Sequence, residues 1–183
     1  METESPMSFR EEALRVVRQT LEAVLNGRPQ PVFSFADPRF AERCGVFVTL
    51  KRHGELRGCI GFVKGVEPLS AALPEMAVAA ATHDPRFAAV RAEELAEISL
   101  EVSVLTPMTE VSDVSEIEIG KHGLMLINGH RSGLLLPQVP VEWGWDVDEF
   151  LSNLCHKAGL PPGAHLQPGA RLLKFSADVF SED

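Results

Sequence analysis

Four side chains in this sequence stand out for the chemistry they could do: Arg57, Cys59, Glu101 and His122. Two of them lie in Leu56-Arg57-Gly58-Cys59-Ile60-Gly61. Successive strand residues point to opposite faces, so Arg57, Cys59 and Gly61 share one face and Leu56, Gly58, Ile60 and Phe62 the other. The second set has the composition of a core face, which leaves the guanidinium and the thiol together on the first. Gly58 and Gly61 leave room around them, as strand glycines do at a bulge or where backbone or a ligand comes close. A cation beside a thiol favours the thiolate, the nucleophilic and metal-binding form. The plainer alternative makes Cys59 a small packing residue and Arg57 a surface or ion-paired side chain.

Glu101 lies in the alternating run EISLEVSVLT (97–106). There Ile98, Leu100, Val102 and Val104 form an apolar face, and Glu101 lies opposite with Ser99 and Ser103. Arg57 is its expected partner, in a bidentate pair that could serve a site or merely tie two strands. His122, in Lys121-His122-Gly123 at the start of a strand, is placed either for acid–base work or to hydrogen-bond the backbone of its own turn. Cys59, His122 and Glu101 together supply the thiol, base and orienting carboxylate of nucleophilic thiol catalysis. Arg57, Gly58 and Gly61 are then the binding groups.

Other candidates read as structural. Asp84 is expected to cap or turn the chain in His83-Asp84-Pro85-Arg86-Phe87, with Phe87 as a core anchor, and Cys155 to be buried packing. His53 and His130 fall in hairpin turns; Trp143 and Trp145 either line a cleft or lock a subdomain, and locking is the favoured reading. No paired Cys or His spacing marks a metal site, no glycine-rich phosphate loop is present, and no C-x-x-x-C-x-x-C occurs, so no cofactor or metal is expected.

These residues sit in a chain of 183, of which 45% are hydrophobic and 23% charged. That balance suits a soluble domain, or two small and closely packed subdomains, able to bury a core without staples. The three cysteines are odd in number and lack a C-x-x-C, which points to a reducing compartment. The acidic start METESP lacks the basic-then-apolar pattern of a signal peptide, so a cytoplasmic location is expected. No apolar run approaches the roughly 20 residues of a membrane span. The net charge of −9 weighs against nucleic-acid binding driven by phosphate neutralisation, although Lys51, Arg52 and Arg57 could form a local basic patch.

The elements that must position the candidates follow from pattern. Ser8 and Glu11 form a capping box before a helix with Leu14, Val17 and Leu21 on one face, ending at Asn26-Gly27. GVFVTL (45–50) and LRGCIGFV (56–63) around His53-Gly54 read as a hairpin. PLSAALPEMAVAAAT (68–82) reads as helix broken or restarted at Pro74. Residues 119–137 suggest another hairpin, Asp146 and Glu149 cap a helix ending at Gly159, and RLLKFSADVF (171–180) closes the chain as a strand with Leu173, Phe175, Ala177 and Val179 on one face. Hairpins and helices without regular βαβ alternation predict an α+β fold with largely antiparallel sheets.

LRGCIG after GVFVTL resembles the hexapeptide of the AMMECR domain family. DPRFAAVRAEELAEISLEVSVLTP (84–107), IEIGKHGLML (117–126), LLLPQVPVEWGWDVDEFLSNLCHKAGL (134–160) and RLLKFSADVF (171–180) resemble its later blocks. The resemblance implies a single domain over residues 8–180 with flexible termini at 1–7 and 181–183, a larger and a smaller subdomain, and a cleft near the hexapeptide. It places the chain with the stand-alone bacterial form found in the AmmeMemoRadiSam system, implying a Memo-like and a radical-SAM-type protein as partners. It adds weight to Arg57, Cys59, Glu101 and His122 as a site. It names no reaction, and two readings stay open: a cysteine-dependent enzyme, or a non-catalytic binding or substrate-presenting module.

Overall fold

Ser8 opens the first helix as its spacing requires. Its hydroxyl accepts from the Glu11 amide while the Glu11 carboxylate accepts from the Ser8 amide. Helix α1 (Phe9–Leu25) then buries Ala13, Val16, Val17 and Leu21 and stops at Asn26, with Gly27 at φ +70°. The computed structural model describes residues 7–182. The chain divides after Val104 and again after Ala177: one unit is Leu105–Ala177, the other the remaining described residues.

In the first unit an extended stretch leads to a 3-10 turn (Pro38–Ala41) and then the hairpin of β1 (Val46–Arg52) and β2 (Glu55–Phe62). Its turn residues, His53 at φ +53° and Gly54 at φ +79°, have the positive angles that tight hairpins demand. Helix α2 (Leu69–Thr82) packs on β1, β2 and α1. Strand β3 (Ile98–Leu105) pairs antiparallel with β1. The sheet order is β2-β1-β3-β8, where β8 is Ala177–Ser181. The side chains of Val46, Val48, Leu50, Leu100 and Val102 form a core with α1 and α2.

In the second unit β4 (Thr109–Glu110), β5 (Gly123–Asn128), β6 (Arg131–Leu135) and β7 (Arg171–Phe175) form an antiparallel sheet of order β4-β7-β5-β6. A short helix α3 (Val139–Trp143) precedes α4 (Val147–Lys157). Asp146 and Glu149 cap α4 reciprocally, and Phe150, Leu151 and Leu154 pack with Leu124 and Leu126. The α+β expectation is therefore met by two four-stranded sheets with flanking helices.

Three local expectations are corrected. Pro74 does not break α2, which runs through it. A proline there forfeits a single bond to the Ser70 carbonyl, and the burial of Leu69, Ala72, Leu73 and Met76 holds the helix. Residues 171–180 are not one strand: the chain changes sheets at Ser176, so Leu173 and Phe175 are buried while Val179 is exposed and Phe180 takes the inward place. Leu56 is exposed rather than core, for a reason that shapes the site. As for the expected loose termini, residues 1–6 and 183 lie outside the described residues. Glu182 pairs with Arg18 and accepts from the Leu100 amide.

Candidate functional site

The register of the first sheet aligns the thiol and the carboxylate. Thr49 on β1 stands opposite Cys59 on β2 and opposite Glu101 on β3. The three form a row across the sheet on the face away from the core residues Val48 and Leu50. The Thr49 hydroxyl and the Cys59 thiol are hydrogen-bonded at 3.1 Å. Lys51, two residues along β1 on the same face, donates to Glu101 Oε2 at 2.8 Å. The expected Arg57–Glu101 pair is thus replaced by Lys51–Glu101.

Arg57 is turned elsewhere by a β-bulge. Leu50 pairs with Gly58 but Lys51 pairs with Leu56, so Arg57 is an extra residue in β2. One extra residue reverses the facing of what precedes it, which is why Leu56 leaves the core. Arg57 forms a fork with Glu94, Nε to Oε1 at 3.1 Å and Nη2 to Oε2 at 3.2 Å, and donates from Nη1 to the Ala88 carbonyl at 2.8 Å. Glu94 is buried and also accepts from the Arg91 amide at 2.8 Å and from Arg52. The Arg91 amide and then the Arg57 guanidinium hold its carboxyl below the usual carboxylate range.

The glycines do not leave open room. A Cβ on Gly58 would collide with the Ala80 carbonyl oxygen, because α2 lies directly against the strand there. A Cβ on Gly61 would collide with the ring of Phe47, its cross-strand partner. The approach that Gly58 and Gly61 permit is that of the protein's own backbone and side chains.

Asp84 gains a role beyond capping. Its side chain is almost wholly buried, and Oδ2 accepts from the Cys59 amide at 3.0 Å. Arg86 closes over it, Nε to Oδ1 at 3.0 Å and Nη2 to Oδ2 at 2.8 Å. The Arg86 guanidinium, aided by the Cys59 and Arg86 amides and against the cost of burial, holds the Asp84 carboxyl well below the usual range. Burial pushes the Cys59 thiol above its ordinary value. The Thr49 hydrogen bond and the nearby Arg86 charge act the other way, and the charges of Asp84 and Glu101 reinforce the rise. The cation that bears on Cys59 is Arg86 rather than Arg57.

His122 belongs to the second unit. It is buried, and its Nδ1 accepts from the Glu118 amide at 3.0 Å. That bond leaves the neutral ring protonated on Nε2, a donor rather than a free base. Burial first, then the charges of Lys174 and Lys121, lower its pKa and keep it neutral. Cys155 is fully buried and contacts His165 Nδ1 at 3.7 Å. Trp145 packs on the second core and stacks with Trp143, which is exposed. Among the described residues no three His, Cys, Asp or Glu side chains converge to hold a metal ion, and no helix is long and apolar enough to cross a membrane.

The structure therefore brings Cys59 and Glu101 to one residue, Thr49, ties Arg57 to Glu94, and places His122 in the other unit, just before β5. Asp84, Arg86 and Glu94 are the residues that pattern missed. The available signal was the density of charge in Asp84-Pro85-Arg86 and Arg91–Glu94, beside a strand holding an arginine and a cysteine.

Comparison with known proteins adds a family. The AMMECR1 family model matches residues 14–180. A protein of Methanothermobacter thermautotrophicus is 52% identical over 150 residues, spanning 79% of this chain and 78% of that one. A protein of Thermococcus gammatolerans is 46% identical over 181 residues, spanning 93% and 88%. The crystal structure of an uncharacterized protein from Pyrococcus horikoshii superposes with a TM-score of 0.87 at 42% identity, covering 95% of this chain and 91% of that one.

Proposed function

This chain belongs to the AMMECR1 family, and on that premise we propose that it is a non-catalytic binding module of the AmmeMemoRadiSam system. It docks a Memo-like or radical-SAM-type protein, and the β1–β2 hairpin is the rigid recognition element. One observation carries this reading: the functional groups of the hexapeptide are already engaged within the chain. Arg57 is held by Glu94 and the Ala88 carbonyl, the Cys59 amide by Asp84 and its thiol by Thr49. Gly58 and Gly61 are closed by Ala80 and Phe47. A half-buried thiol whose pKa is raised is a poor nucleophile. A hairpin pinned at this many points is a preorganised surface, which lowers the cost of association, and exposed Leu56 supplies an apolar contact at its tip.

A second reading, a cysteine-dependent enzyme, has its own support in Arg86, whose charge favours the Cys59 thiolate. Co-purification of the intact chain with each partner protein separates the two. The module reading expects Cys59→Ser to retain the partner as wild type does and Leu56→Asp to weaken retention about tenfold. Full retention by Leu56→Asp, or loss with Cys59→Ser alone, overturns it.

A further inference from the structure

Between α1 and the 3-10 turn at Pro38–Ala41 the chain forms neither helix nor strand. Among the described residues, no backbone–backbone hydrogen bond involves residues 29–36. The side chains alternate all the same: Pro31, Phe33 and Phe35 are half-buried, while Val32, Ser34 and Ala36 are exposed, Val32 at 99%. Phe35 is fixed by stacking on Phe40 at 4.4 Å between ring centroids. That alternation is the period of an extended chain, and its main-chain groups (Pro29 and Pro31 lacking an N–H) have no backbone partner among the described residues, the feature that templates pairing with another chain.

An open groove of about 920 Å³ lies between this stretch and α2. Pro31, Phe33, Phe35, Pro74 and Val78 line it, with exposed Glu75. Helix α2 is apolar round most of its circumference. One stripe, with Leu69, Leu73, Met76 and Ala80, enters the core; a second, with Pro74 and Val78, faces the groove. Helices with apolar faces all round are normally covered all round. Pro74 also has no N–H for the Ser70 carbonyl, and Ser70 lines the same groove.

Charge indicates what covers it. Glu75 lies close enough to Glu67 that, with burial, it raises the pKa of the Glu67 carboxyl. Glu67 Oε1 is buried with no hydrogen-bond partner among the described residues. Arg43, whose charge acts on Glu67, gives its Nη1 to the Val66 carbonyl at 2.7 Å. Two adjoining carboxylates are relieved by a cation delivered to the exposed member, Glu75. The unpaired main chain spans roughly 25 Å at the usual rise of an extended chain, longer than a small metabolite.

We propose that this groove docks an extended segment of a partner protein in which apolar residues alternate with basic ones. The segment pairs its main chain with residues 30–35 and sets a lysine or arginine against Glu75. This surface is separate from the hexapeptide, and its existence does not depend on how Cys59 is read.

The test uses a fluorescein-labelled, acetylated octapeptide of alternating valine and lysine, and a counterpart of alternating valine and glutamate. Both are titrated with the intact chain by fluorescence anisotropy. The lysine peptide is expected to bind saturably and the glutamate peptide not to bind. Glu75→Lys should weaken the lysine peptide about tenfold or more, and Ala71→Trp, which fills the groove, should abolish binding, both variants keeping wild-type melting curves. N-methylation of alternate peptide amides should weaken binding to a similar degree. An equal loss with the distant charge reversal Glu142→Lys would reveal general attraction to an acidic chain and overturn the proposal. Equal binding of the two peptides, no binding of either, or a chain dimer in sedimentation that Ala71→Trp dissociates would overturn it as well.

Discussion

The two hairpins of this molecule share more than their sequences suggest, and the remainder is informative. In β1–β2, Gly58 lies against the backbone of α2 at Ala80; in β5–β6, Gly133 lies against the chain just after α4, 2.6 Å from Ala158 N to a notional Cβ. Gly61 faces the ring of its cross-strand partner Phe47, and Gly123 faces that of Phe175 in the same way. These glycines are packing devices that let a helix or a ring close on a strand. The difference is elsewhere. The β5–β6 register is unbroken from Leu124–Leu135 to Asn128–Arg131, whereas β1–β2 slips at Leu50/Lys51. Beside β1–β2 alone stand two buried carboxylates, Asp84 and Glu94, each gripped by arginine. What distinguishes the hexapeptide is the bulge and its carboxylates, and not its glycines.

The sharpest way to break this comparison is to add one methyl group to each hairpin. Gly58→Ala drives a Cβ into a backbone carbonyl and should cost about 3 kcal/mol or more; Gly133→Ala, with a longer contact, should cost about 2 kcal/mol. Chemical denaturation measures both, and a neutral Gly58→Ala would mean that α2 does not bear on the strand. Next in size is Asp84→Ala, at about 2 kcal/mol, because it leaves the Cys59 amide unpaired. The folded Asp84 carboxyl sits below its ordinary 3.8, so its contribution is present above that pH and is lost as pH falls further. The gap between wild type and variant should be full at neutral pH and narrow progressively as pH falls below about 3.8; a gap unchanged at low pH would remove the charge from the explanation. Glu94→Gln should cost about 1–2 kcal/mol by weakening the grip on Arg57. Cys59→Ser should be smallest, within about 1 kcal/mol.

Local chemistry made much of this fold legible. The Ser8–Glu11 and Asp146–Glu149 boxes and the turn at His53-Gly54 each depend on residues a few positions apart, and each forms as expected; the alternation read from Ile98 to Val104 holds as far as Val102, with Ser103 buried rather than exposed. What escaped depends on distant partners. The bulge that exposes Leu56 follows from how β2 meets both β1 and α2, and no period-two pattern contains it. Arg57 chose Glu94 over Glu101 because the bulge turned it away from the Cys59–Thr49–Glu101 row. Asp84 read as a turn residue, since its bond to the Cys59 amide spans 25 positions. Cys59 and Glu101, each read as lying away from the apolar face of its own strand, stand on one face of the sheet; His122 immediately precedes β5 of the second sheet, with its Nδ1 in use.

Whether the hexapeptide is a finished structural element or a reactive one turns on the ionisation of the Cys59 thiol. The direct measurement is the pH dependence of Cys59 alkylation by iodoacetamide, read on its peptide by mass spectrometry with Cys59→Ser as control. An inflection above 9.0, the ordinary value for the thiol, is expected. An inflection below about 7.5 that moves up in Arg86→Gln would contradict that expectation and make Cys59 a thiolate nucleophile.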